Sequence, residues 1–287
     1  MASSPTLLSL PPEIRNRIYE FALTPDRGAL YHVYNQASSG KKSFFFEPSS
    51  PEPVDFSPAL DAQAEFNQLK YVNRQLYSET AAVELEYCRN LFFDYKVSRE
   101  RAQGAQVVSF LKSVSPTIRA RLCTICIRDF DDASPVNRQF HDSATTMSNL
   151  DYFCCQHPNL SIRYEITGWV IRSTGMGYLE GFLDGLYWSS TLRNETFSNT
   201  PFSARIVAIA MFLGRDISGT YTISARTPRE WKVELKAKNL RFFPVAIGSD
   251  GKRLSTLPKV WRPVIPWARH ETEAIHAQME QWYNVGL

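Results

Sequence analysis

The sequence predicts an α/β fold, with an N-terminal helical segment packed on a body of alternating βα units and a largely parallel sheet. Three observations predict it. Apolar residues recur at helical spacing near the N-terminus, and strand-like and helix-like segments alternate beyond residue 100. The strand-like segments LCTICI, LSIRYEI and RIVAIAMF begin 38 and 45 residues apart, at Leu122, Leu160 and Arg205. Such spacing leaves room for a helix between successive strands, which makes neighbouring strands parallel. It is too long and uneven for a leucine-rich repeat of ~20–29 residues.

Leu7 to Leu23 reads as the first helix. Pro11 and Pro12 suit a first turn, where the missing N–H groups would have no intrahelical partner. Glu13 lies at the positive end of the helix dipole. Ile14, Ile18, Phe21 and Ala22 fall on one apolar face, and Thr24-Pro25 ends the helix. From about Asn35 to Pro58 the pattern dissolves into a Ser- and Pro-rich stretch, expected as a long, partly disordered surface loop. Within it, Phe44-Phe45-Phe46 would dock as a short strand.

From Asn67, the residues Leu69, Val72, Leu76, Thr80, Val83 and Tyr87 predict an amphipathic helix of roughly five turns. Asn90 to Tyr95 then reads as a strand. Helices are expected at Gln106 to Val114, Asp142 to Cys155, Tyr178 to Leu192 and Glu271 to Tyr283. A division follows, with residues 1–100 as the helical segment and its loop, and 101–287 as the α/β body that would hold a partner.

At 287 residues the chain can bury a sizeable core. No run approaches the ~18 apolar residues that a spanning helix needs. The opening MASSPTLLSLPPEIR has neither the basic nor the long apolar region of a secretory signal. The five cysteines, an odd number with no small-scaffold spacing, fit reduced thiols. Together these point to the cytoplasm or the nucleus, where the sequon at Asn194 would have no consequence. Charge is uneven: residues 226–269 carry 11 Lys/Arg against 3 Asp/Glu, while the whole chain nets only +3.

Two ordered blocks carry a resemblance. Leu10-Pro-Pro-Glu-Ile-Arg-Asn-Arg-Ile-Tyr19 resembles the Leu-Pro-x-Glu-Ile opening of F-box domains. It is closer still to a large family of fungal F-box-like proteins that open Leu-Pro-x-Glu-Ile-Arg-x-x-Ile-Tyr. In that family a block Val-Asn-Arg-Gln-x-x-x-Glu follows, as in Val72-Asn73-Arg74-Gln75-Leu76-Tyr77-Ser78-Glu79. A strand with Asn-x-Phe-x-Phe comes next, more loosely matched by Asn90 to Asp94. The resemblance covers roughly residues 7–95.

It implies an F-box-like helical segment and a role in recruitment. An F-box packs on the adaptor subunit of a cullin–RING ubiquitin ligase while the rest of the chain holds a substrate protein. The adaptor-facing positions would be Leu10, Pro11, Ile14, Ile18, Val72 and Leu76, an apolar stripe suited to helix-in-groove binding. A standard F-box joins its halves within a short span, whereas here Thr24 to Gln68 intervenes. The same apolar residues would equally serve to pack on one another. Exposure of Ile14 and Ile18 discriminates between the two.

Other motifs say less. Cys123 and Cys126 lie three apart in a predicted strand and so point to opposite faces, which disfavours a shared metal. Gly175, Gly177 and Gly181 do not complete a dinucleotide fingerprint and read as a turn into a helix. Neither Gly-x-Ser-x-Gly nor His-Glu-x-x-His occurs, and His141, His157 and His270 are scattered. A non-catalytic chain without cofactor or metal is therefore expected. The alternative is nucleic-acid binding through segment 226–269, where Arg229, Lys232, Lys236 and Arg241 interleave with aromatic residues. A solvated strand face at Trp231 to Lys236 accounts for the same pattern.

Overall fold

The computed structural model describes residues 6–35, 42–48, 65–81, 83–94, 102–128, 142–172, 181–185, 188–189, 192–193, 235–247 and 269–287. Six strands form one sheet: β1 (Ala29–Asn35), β2 (Lys42–Phe46), β3 (Asn90–Asp94), β4 (Thr124–Arg128), β5 (Ser161–Arg172) and β6 (Leu240–Ile247). Their spatial order is β2-β1-β3-β4-β5-β6. Every neighbouring pair is parallel except β1 with β2, an antiparallel edge. The chain is an α/β protein with a largely parallel sheet.

The helices are α1 (Pro12–Leu23), α2 (Arg74–Thr80), α3 (Val83–Tyr87), α4 (Gln103–Ser113), α5 (Pro116–Arg121), α6 (Ala144–Gln156) and α7 (Arg269–Val285). Between β3 and β4 run α4 and α5, and between β4 and β5 runs α6, as parallel neighbours require a crossover. The expected division near residue 100 falls between β3 and β4, which pair from Asn90↔Thr124 to Asp94↔Arg128 in the same sheet.

Register explains the core. Leu30, Leu91, Ile125, Ile162 and Leu240 lie side by side across five strands, and His32, Phe93, Ile127, Tyr164 and Phe242 form the next row on the same face. Both rows are buried. All of them but His32 share one cluster with Val107 and Leu111 of α4, Met147 and Leu150 of α6, and Ile275 and Met279 of α7. The opposite face carries the in-register charges Asp94, Arg128 and Glu165. Arg128 there lies 3.7 Å from Asp94 and 3.5 Å from Glu165, and stacks over the Phe92 ring.

Several expectations change in detail. The predicted five-turn helix from Asn67 is three pieces: a 3-10 turn at Leu69–Tyr71, then α2, then α3. Asn73 is the cause. Its backbone is extended (φ −162°, ψ 171°) and its side chain accepts the Leu76 N–H, so it starts a new helix instead of continuing one. β1 and β6 were not anticipated. Phe44 to Phe46 does form a strand, part of β2, inside the predicted loop, of which residues 36–41 and 49–58 lie outside the described ones. The predicted strand at Arg205 to Phe212 also lies outside them. Residues 181–185, 188–189 and 192 of the predicted helix at Tyr178 to Leu192 are helical.

Two glycines are required by geometry. Gly28 turns the chain into β1 at φ +62°, and its carbonyl accepts the N–H groups of Arg89 and Asn90 at the start of β3. At Gly104 a Cβ would fall 2.5 Å from the Asp142 carboxylate. That carboxylate caps α4 from outside the helix, accepting the Gly104 and Ala105 N–H groups at 2.8 and 2.9 Å and the Tyr164 hydroxyl at 2.5 Å.

Candidate functional site

The Leu-Pro opening and the second block meet in space. Pro12 sits in the first turn of α1 with Pro11 as its N-cap residue. A 3-10 turn at Leu7–Ser9 precedes them. The face of α1 turned inward is Arg15, Tyr19 and Leu23, at i, i+4 and i+8. Tyr19 and Leu23 are buried with Leu76 of α2, and Leu7, Leu8, Phe66, Leu69 and Val83 pack around them.

Glu79, at the end of the second block, organises the polar side of this cluster. Its carboxylate accepts Arg15 Nε at 3.1 Å and Nη2 at 2.9 Å, the Tyr19 hydroxyl at 2.5 Å and Gln75 Nε2 at 2.9 Å. These bonds, led by that from Tyr19 and then Arg15, hold the Glu79 carboxyl down at about 2. With four donors directed at it, the group is a fixed acceptor and not a proton carrier. Arg15 Nη1 also donates to the Leu10 carbonyl at 2.7 Å, which ties the Leu-Pro opening to the same seam.

The opposite face of α1 is left to solvent. Ile14 is 46% exposed, Ile18 36% and Phe21 88%. Pro11 and Ala22 are exposed and Leu10 is half-buried. Beyond α1, Tyr71, Val72 and Tyr77 are also exposed, whereas Leu76 is only 4% exposed. The expected adaptor-facing set therefore divides. Leu10, Pro11, Ile14, Ile18 and Val72 reach solvent, while Leu76 turns into the core beneath. Leu76 is buried in one cluster with Tyr19 and Leu23 and supports the helix from beneath. Phe21, which belongs to neither block's adaptor-facing positions, is the most exposed large apolar side chain of the described residues.

Compared with family models, curated proteins and solved structures, the chain matches none.

The remaining sequence candidates are dispersed. Cys123 is exposed just before β4 and Cys126 is buried within it. Among the described residues no group of three or more His, Cys, Asp or Glu side chains is placed to hold a metal. No helix among them is long and apolar enough to cross a membrane. Of the basic segment, Lys236 is exposed before β6, and Arg241 within β6 donates to the Lys238 and Val285 carbonyls. Arg229 and Lys232 lie outside the described residues. The Gly175–Gly177 turn does too.

Sequence periodicity had singled out the outward stripe of α1 but not its inward one. Arg15 and Tyr19 are not apolar, so an apolar count passes over them. The signal that would have found them is chemical: an Arg and a Tyr one turn apart in one block, with a Glu closing the other.

Proposed function

We propose that the chain is a non-catalytic, F-box-like protein-interaction adaptor, with the outer face of α1 docking on the adaptor subunit of a cullin–RING ubiquitin ligase. One observation carries this reading. The helix holds itself to the body through Arg15, Tyr19 and Leu23, which leaves Ile14, Ile18 and Phe21 facing solvent. Exposed apolar side chains in a row on one helix are costly in water and suit a partner's groove. The fold does not need them for its own core, because the seam with Glu79 and the cluster around Tyr19 already secure α1.

In this reading Leu10, Pro11, Ile14, Ile18 and Val72 face the adaptor, and the α/β body holds a substrate protein. Co-purification tests it. The wild-type chain should retain the ligase adaptor, and Leu10→Asp or Ile14→Asp should release it while the circular dichroism spectrum and Tm stay unchanged. Retention by both variants, or none by wild type, would refute the proposal.

A further inference from the structure

His32 of β1 sits in a cage of phenylalanines. Its ring lies 4.6 Å from that of Phe93 on β3, 5.5 Å from Phe45 on β2 and 6.2 Å from Phe110 on α4. The cage rings also touch one another, Phe45 with Phe110 at 5.8 Å and Phe93 with Phe110 at 5.5 Å. His32 is 5% exposed, and its Nδ1 is buried without a hydrogen-bond partner. A neutral imidazole tolerates that setting; an imidazolium, which must donate from both nitrogens, does not.

Among the described residues no counter-ion offsets the problem. From β2, β3 and α4 the aromatic rings of Phe45, Phe93 and Phe110 contact it. After β2, Glu47 accepts the Arg27 N–H, and Glu65 in the neighbouring segment is held by Lys70 and Tyr71. On the same sheet face, Tyr164 and the Asp142 it binds lie three strands away. Lys112 of α4 is exposed. Burial alone lowers the imidazole to about 4.

The cage also lies at a seam. The Phe66 N–H donates to the Phe45 carbonyl at 2.8 Å, along the outer edge of β2. Phe66 in turn packs against both the main core and the Tyr19–Leu23–Leu76 cluster. One residue thus separates the histidine cage from the packing under α1.

We propose that His32 is an acid-sensitive latch, and that its protonation loosens β2 and the segment 65–67 paired with it, unseating the sheet from the N-terminal helices. Any consequence for partner binding rests on the interface reading; the latch itself does not.

The sign follows from linkage. The folded chain excludes a proton that the unfolded chain binds near 6.5. The contribution is complete above that pH and is lost progressively as pH falls toward 4. The full effect is up to about 300-fold in the folding equilibrium constant.

Amide hydrogen exchange read by mass spectrometry, corrected for intrinsic rates, tests this on the full chain from pH 7 to 4. Wild type should lose protection at 42–48 and 65–72 across that range, and His32→Phe should not. Equal profiles for the two proteins would overturn the latch. Should His32→Phe fail to fold, the imidazole of wild type is titrated directly by NMR. A midpoint well below 6.5, accompanied by opening of β2, supports the proposal, and an ordinary midpoint overturns it. Either outcome leaves the adaptor-binding test above unaffected, because that test is made at neutral pH.

Discussion

Arg15 of the first block and Glu79 of the second, 64 positions apart, form a two-pronged ion pair with the Tyr19 hydroxyl as a third donor to the same carboxylate. This seam fixes which way α1 faces. It binds one side of the helix to α2 and leaves the other side to solvent, so the two faces should respond differently to substitution.

The first prediction concerns the seam. Tyr19→Phe keeps the buried ring and removes the donor, and should cost about 1 kcal/mol in urea unfolding. Glu79→Gln should lower the Tm as well. The pH dependence has a definite sign. The folded Glu79 carboxyl sits at about 2, below its ordinary 4.5. Its stabilisation is therefore complete above pH 4.5 and lost as pH falls from 4.5 through 2. Acid unfolding monitored by circular dichroism should show this component in wild type and lack it in Glu79→Gln.

Leu76 and Val72 provide a matched pair. Both belong to the second block, yet one is buried and the other exposed. Leu76→Ala should cost about 3 kcal/mol through the cavity it leaves against Tyr19 and Leu23. Val72→Ala should change stability by no more than about 0.5 kcal/mol. Equal effects in chemical denaturation would contradict the division of the block into support and surface.

This division marks how far the sequence could be read. Period counting located α4, α6, α7, β4 and β5, because their apolar residues face one core, and α1 through an apolar stripe that faces solvent. It merged the 3-10 turn, α2 and α3 into one helix, since the spacing of Leu69, Val72, Leu76, Thr80 and Val83 runs unbroken through Asn73. The extended backbone and capping side chain of Asn73 make the first break, and the non-helical backbone of Ala81 the second. β1 escaped notice because His32, polar by type, holds a core position among phenylalanines. The Asp94–Arg128–Glu165 row was invisible for a related reason: charges in three separate segments become neighbours only through strand register. The outward stripe Ile14–Ile18–Phe21 was legible, but whether it was covered depended on Glu79, a long-range partner that no local pattern specifies.

The start of α4 yields a third prediction. Ala102 occupies the left-handed region at φ +67° and has no side-chain acceptor to cap the helix, a task left to Asp142. Asp142→Ala should cost about 2 kcal/mol by removing the acceptor of the Gly104 and Ala105 N–H groups and of the Tyr164 hydroxyl. Ala102→Gly should instead stabilise the chain by about 0.5–1 kcal/mol, by relieving the backbone. Thermal unfolding of the two variants should move in opposite directions.

Thiol reactivity supplies a fourth. Cys123 and Cys155 are exposed, whereas Cys88, Cys126 and Cys154 are buried. Burial pushes the Cys88 thiol up to about 11 and that of Cys154 to about 12. Native alkylation at pH 8, read by peptide mass spectrometry, should label Cys123 and Cys155 first. The other three should follow only on unfolding. Rapid labelling of Cys88 or Cys154 would contradict their placement in the core.

The central claim is that the outer face of α1 is a docking surface for the ligase adaptor subunit. Calorimetric titration of the purified chain with that subunit tests it most directly, comparing wild type with Ile14→Asp, Ile18→Asp and, as a control on exposed Tyr152 of α6, Tyr152→Asp. The account predicts saturable binding by wild type and Tyr152→Asp, weakened at least about 10-fold in both α1 variants, as burial of a charge in an apolar interface requires. No binding by wild type, or equal affinity in all four proteins, would contradict it.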